Sequence, residues 1–144
     1  MKYERKLTHC IYDNKQHICW ITKYRYQVLK GTIGIRLREI IREVCKQYDI
    51  EILQGHVRPE HVHIVVSRPP NISESKMMQY IKGKSARKLL QEYEELRKRY
   101  YGGRLWARGY YCATIGNVTD ELIMEYVKNQ DKEKGNNDNF QVTT

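Results

Sequence analysis

The residues best placed to do chemistry are His61 and His63, in the stretch EHVHIVVS. That stretch has the β-branched richness of a strand, and side chains on a strand alternate faces. His61 and His63 therefore point the same way, with Val62, Ile64 and Val66 on the opposite, core-facing side. Two imidazoles side by side suit a divalent metal when a third ligand arrives from elsewhere. The same two letters also describe a strand that shows two histidines to solvent, and the motif alone does not separate these readings. A second pair, Tyr126 and Gln130, lies four residues apart in a stretch with helical character, so the two share a helix face. A tyrosine phenol can attack phosphorus, but its ordinary pKa near 10 calls for a polarised phosphate or a proton acceptor. Gln130 would bring a side-chain oxygen one turn away. The chain holds 12 tyrosines, and spacing alone does not select Tyr126 among them.

Charge points to the partner. The 144 residues carry 26 Lys and Arg against 17 Asp and Glu, a net charge of +9, which favours a polyanion such as nucleic acid. Lys82, Lys84, Arg87 and Lys88 cluster around Gly83, and Arg104, Trp106 and Arg108 follow among further tyrosines. Cations that meet phosphates, interleaved with rings that stack on bases, favour single-stranded or hairpin nucleic acid. The alternative is a solvated helix face beside an aromatic-rich strand. Cys10, Cys19, Cys45 and Cys112 form no C-x-x-C pair and read as buried, reduced thiols of a cytoplasmic protein. A zinc site on His17 and Cys19 lacks a second ligand pair. No signal peptide is expected, because charges interrupt residues 2–6, and no segment is long enough to span a membrane.

The elements that must position these residues follow from periodicity. The first fifteen residues are polar and expected to be loosely held. His17–Tyr26 reads as a strand, Gly31–Gly34 as a break, and Ile33, Leu37, Ile40, Ile41, Val44 and Tyr48 as one face of a helix. Asp49–Val57 and His61–Ser67 read as a hairpin turned at Arg58-Pro59-Glu60. A helix begins at Ser73, is interrupted at Gly83, and continues as a charged helix over 85–100. Leu105–Ile115 reads as a strand with an irregularity at Gly109, and 119–130 as a last helix bearing Tyr126. Residues 131–144 are polar and expected to be a flexible tail. The order is β-α-β-β-α-β plus a helix: an α+β, ferredoxin-like or RRM-like antiparallel sheet with helices on one face, in a single domain spanning 1–144.

Taken together, HICWITKYRYQVLKG, RPEHVHIVVSRPP, IKGKSAR, LWARGYYCATIG and EYVKNQ resemble the bacterial insertion-sequence transposases of the HUH, single-tyrosine kind. The resemblance covers about His17 to Gln130. It implies a DNA transposase that cleaves and rejoins single-stranded DNA at element ends through a covalent 5′-phosphotyrosine. By position it implies His61, His63 and Gln130 as metal ligands, for Mg²⁺ or Mn²⁺, and Tyr126 as the nucleophile. The acidic residue before the first histidine, often Asp in the family, is Glu60 here, which preserves the charge. The resemblance further implies end hairpins as substrate, a homodimer in which one subunit's tyrosine helix can serve the other's histidines, and no nucleotide cofactor. The competing readings are a replication initiator or relaxase of the same chemistry, and a noncatalytic RRM-like nucleic-acid-binding module. Relatives of the first kind are longer, and the second needs neither the histidine pair nor the distant tyrosine.

Overall fold

The computed structural model of the chain describes residues 5–7, 10–115 and 139–143, with backbone alone before Ile11. The expected final helix with Tyr126 and Gln130 lies outside the described residues. In chain order the elements are β1 (Arg5–Leu7), β2 (Cys10–Tyr12), β3 (Lys15–Ile21), α1 (Gly31–Gln47), β4 (Glu51–Val57), β5 (His61–Ser67), α2 (Glu74–Glu92), α3 (Glu94–Arg99), β6 (Tyr111–Thr114) and β7 (Phe140–Val142). β1 and β2 pair as a small antiparallel ribbon, so part of the segment expected to be loose is structured. The main sheet runs β6-β3-β5-β4-β7. Its first four strands are mutually antiparallel, the split β-α-β order the pattern predicts.

One face of the sheet is dry because the sequence alternates. Ile18 and Trp20 of β3 and Val62, Ile64 and Val66 of β5 are all essentially inaccessible. They meet Ile33, Leu37, Ile40, Ile41 and Val44 of α1, a stripe at helical spacing. Met77, Met78, Ile81 and Leu89 of α2 complete the layer. Ser73 caps α2, its hydroxyl accepting from the Lys76 amide at 3.1 Å.

Three sequence expectations shift. Gly31–Gly34 is the first turn of α1 rather than a break, since the helix begins at Gly31. Gly83 does not interrupt α2, which runs unbroken from 74 to 92; the chain bends at Tyr93, whose extended backbone (φ −122°, ψ 104°) separates α2 from α3. An isolated glycine weakens a helix by only about 1 kcal/mol, and the buried residues on either side outweigh that. The strand expected over Leu105–Ile115 shrinks to four residues. Before it, Trp106 makes a single bridge to Thr22, and Gly109 adopts φ +79°, turning the chain away from the sheet.

The largest correction concerns the tail. Phe140–Val142 is not a flexible end but a fifth strand, parallel to β4, with Phe140 fully buried. Two glycines make room for it. A Cβ on Gly55 would come within 2.9 Å of both the Phe140 ring and Ile64, and one on Gly34 would meet the Leu29 carbonyl at 2.8 Å and Val142 at 2.9 Å. Backbone bonds Gly55 N–H to Asn139 O and Thr143 N–H to Val57 O, both 2.9 Å, fix its ends.

Candidate active site

The other face of the sheet carries the histidines. β3 and β5 pair so that Cys19 lies opposite His63 and Ile21 opposite His61, while β4 sets His56 directly opposite His63. His63 is thus ringed. Its centroid is 5.9 Å from His61, 5.7 Å from His56 and 5.9 Å from His17. The rings of His61, His63 and His56 are nearly parallel, with interplanar angles of 25° and 26°. The side-by-side placement of His61 and His63 predicted from alternation is what the strand delivers. Both rings are partly exposed, whereas Val62 and Ile64 are sealed beneath them.

The turn before β5 positions the first histidine. Arg58 N–H donates to His61 O at 2.8 Å, closing the hairpin. Leu29 N–H donates to Pro59 O and Thr22 N–H to Glu60 O, each at 2.9 Å, so the turn is pinned from two sides. Glu60 then reaches the His61 Nδ1 at 2.7 Å. A carboxylate on Nδ1 orients the ring, as carboxylates do for ligating histidines.

Burial holds the His63 imidazole down to a pKa of about 4, helped by the charges that His56, His17, His61 and Arg58 would present. Burial also lowers His17. His63 is therefore a neutral imidazole at pH 7, the form able to donate a lone pair to a metal. Among the described residues, no three His, Cys, Asp or Glu side chains converge well enough to hold an ion by themselves.

Sequence alone offers His17 only as a partner of Cys19 and does not single out His56, so it places neither beside His63. The signal for His56 was available: a hairpin turned at 58–60 with Val57 opposite Val62 sets 56 opposite 63. His17 needed the long-range pairing of β3 with β5, which no local pattern encodes. His56 is buried, and its Nε2 meets the Thr143 hydroxyl at 2.6 Å, tying the β7 segment to the histidine cluster.

The basic residues are distributed differently from expectation. Trp106 is buried, edge-on to Trp20 at 5.8 Å, with its indole N–H donating to Ser85 Oγ at 3.1 Å; it packs the core rather than presenting a ring. Lys82 donates to the carbonyls of Ala107 and Gly109 at 2.9 and 2.8 Å, bracing the loop before β6. Lys88 pairs with Glu43 at 3.2 Å, and Lys84 lies over Tyr48, whose ring stacks on Tyr80. Arg87, Arg104 and Arg108 are exposed. Of the thiols, Cys45 is buried and pushed up to about 12, while Cys19 and Cys112 are only half-buried, contrary to the expectation of full burial.

The chain is thus an α+β protein whose central sheet carries a histidine pair on the face opposite its helices. The family described as "Transposase IS200 like" matches residues 10–130. The chain belongs to that family and is a DNA transposase. It is 34% identical over 124 residues to the ISDra2 transposase TnpA of Deinococcus radiodurans, covering 85% of this chain and 89% of that one. It is also 34% identical over 127 residues to the transposase for insertion sequence element IS200 of Salmonella typhimurium, covering 88% and 83%. A crystal structure described as that of a transposase from Deinococcus radiodurans R1 superposes with a TM-score of 0.72 at 30% identity, over 88% of this chain and 97% of the other. A REP-associated tyrosine transposase, solved bound to a REP hairpin, shares the fold with a TM-score of 0.59 at 19% identity, over 91% and 74%. No helix among the described residues is long and apolar enough to cross a membrane.

Proposed function

We propose that this transposase cleaves and rejoins single-stranded DNA at insertion-sequence ends through a covalent 5′-phosphotyrosine on Tyr126. The observation that carries the reading is the His61–His63 pair, with Glu60 2.7 Å from His61 Nδ1, in a chain of this family. The donor set suits Mg²⁺ or Mn²⁺ as part of a site: two imidazoles, the first oriented by a carboxylate, with Gln130 as the third protein ligand. The metal would polarise and orient the scissile phosphate. Tyr126 attacks the phosphorus in line. A bond from its phenolic oxygen to the 5′-phosphate forms as the bond to the 3′-oxygen breaks. The phenol gives up its proton, and the leaving oxygen gains one as a 3′-OH. Because the phosphoester is conserved in energy, another 3′-OH can reverse the step and join strands without a nucleotide cofactor. Gln130, four residues from Tyr126 in sequence, would tie the nucleophile to the histidine strand.

The partners proposed are single-stranded ends that fold into hairpins, and a second copy of the chain, whose tyrosine helix can complete the site. The hairpin complex of the REP-associated transposase supports the first. A noncatalytic RRM-like module would instead present aromatic rings on the central strands. Here His17, Cys19 and Ile21 of β3 and His61, His63 and Val65 of β5 hold that face, with no Phe, Tyr or Trp among them.

The test is a denaturing gel. Element-end single-stranded DNA with Mg²⁺ should yield a protein–DNA adduct that vanishes in Tyr126→Phe and with EDTA, and weakens sharply in His61→Ala. An adduct surviving in Tyr126→Phe would overturn the nucleophile, and none with any end hairpin would favour the binding module.

A further inference from the structure

Between β3 and α1 the chain does something costly. Tyr24 and Arg25 are consecutive non-glycine residues in the left-handed region, at φ 63° and 56°. A bulky side chain rarely adopts that conformation, and it persists only where the surroundings impose it. They do here. Thr22 Oγ donates to Tyr26 O at 2.8 Å, Lys23 N–H to Leu105 O at 2.8 Å, and the Tyr100 hydroxyl to Lys23 O at 2.9 Å. The result is an aromatic ring turned out into water: Tyr24 is 66% exposed.

A second exposed ring stands across from it. Tyr101, 93% exposed, follows α3 and precedes Gly102-Gly103. Between them lies a groove of about 400 Å³, within the roughly 300–1,000 Å³ range of small-ligand sites. Tyr26 and the buried Tyr100 form its floor, their centroids 5.6 Å apart. Its cations are Lys23, Arg99 and Arg104. Arg99 sits 4.1 Å over the Tyr26 ring and Lys23 5.1 Å over the Tyr24 ring, and no carboxylate lines the groove. The wall is tied to the histidine strand, because Thr22, which opens the turn, donates its N–H to the carbonyl of Glu60, the residue paired with His61.

We propose that this groove binds an unpaired nucleotide of the DNA strand, its base stacked against both Tyr24 and Tyr101 and its phosphates met by Lys23, Arg99 and Arg104. The inference rests on the reading that the chain works on single-stranded DNA. Rings supply sequence-tolerant stacking, and cations supply the phosphate contacts that fix the strand's path. A strained, over-determined turn keeps the ring presented before DNA arrives, so little ordering is left to do on binding. The position at the His61 end of the sheet makes the groove a guide for the strand entering the active site.

The probe is a twelve-residue deoxythymidine strand with a central 2-aminopurine, titrated in EDTA so that no cleavage occurs. The wild type should quench its fluorescence and prefer it to a blunt duplex of equal length. Tyr24→Ala and Tyr101→Ala should each weaken binding about tenfold, the effect of losing one stacked base, with unchanged melting temperature. Tyr101→Trp should bind as the wild type, Arg104→Ala should flatten the salt dependence by about one counterion, and Lys98→Ala, outside the groove, should stay within twofold. Binding by both tyrosine variants within twofold of wild type, or equal affinity for the duplex, overturns the proposal. Quenching of this probe without any covalent adduct on element-end DNA in Mg²⁺ would sink the Tyr126 reading and leave the groove standing; a normal adduct on that DNA with unaffected tyrosine variants would sink the groove alone.

Discussion

Replacing Phe140 by alanine should destabilise the whole sheet, although the residue lies only four positions before Thr144. Phe140 is fully buried, packs on Gly55 and Ile64, and has the Arg42 guanidinium 5.6 Å over its ring. Truncating a buried phenylalanine to alanine costs about 3–5 kcal/mol, part transfer and part cavity. A short edge strand can relax into the gap or peel away, which favours the lower end, about 3 kcal/mol. For a chain of this size that corresponds to a melting temperature lower by about 10 °C. Urea unfolding followed by circular dichroism measures the loss, and hydrogen exchange at Gly55 and Thr143, whose amides bond across the β4–β7 seam, locates it. The complementary change is Gly55→Ala, whose Cβ would stand 2.9 Å from Phe140 and Ile64. Overpacking of that kind costs about 1–3 kcal/mol. If the clash is with the ring, Phe140→Leu should relieve it, and the double variant should be less damaged than the two losses added, by about 0.5 kcal/mol or more. A Phe140→Ala variant within 1 kcal/mol of wild type, with unchanged exchange at Gly55, would refute the placement of β7 in the core.

Further predictions concern the site and its support. Because the folded-state pKa of His63 lies near 4 against 6.5 unfolded, the unfolded chain binds a proton first; its contribution is intact above pH 6.5 and is lost as pH falls toward 4. After allowance for solvent at this partly exposed ring, metal-free protein should lose about 1–2 kcal/mol there between pH 7 and 4.5. Urea titrations should show that loss reduced in His63→Asn, and an identical loss in the variant would refute it. Ser85→Ala leaves the buried Trp106 indole N–H without its acceptor and should cost about 1–3 kcal/mol in unfolding free energy, whereas a change below 0.5 kcal/mol would mean the bond contributes nothing. Thr143→Val removes the hydroxyl that meets His56 and should cost about 1 kcal/mol, with shifted imidazole resonances of His56 and His63 in NMR spectra as the specific readout.

Local physics in the sequence determined much of this protein. Strand alternation alone put His61 and His63 on one face and Val62 and Ile64 on the other, because a period of two leaves no freedom once one face is buried. Helical spacing in α1 and the proline turn at 58–60 gave the β-α-β-β order, hence the sheet. The ordered motifs gave the family that the matched residues 10–130 establish. What escaped was non-local. His17 joins His63 only when β3 pairs with β5, and Trp106 is core rather than surface because α2 supplies Ser85 to its indole. Phe140–Val142 looks like a polar tail in sequence, since three residues carry no period; only the gap over Gly34 and Gly55 makes it a strand. Tertiary structure also held Tyr24 and Arg25 in a left-handed conformation that neither residue would choose by itself, and so turned an ordinary KYRY stretch into an exposed ring.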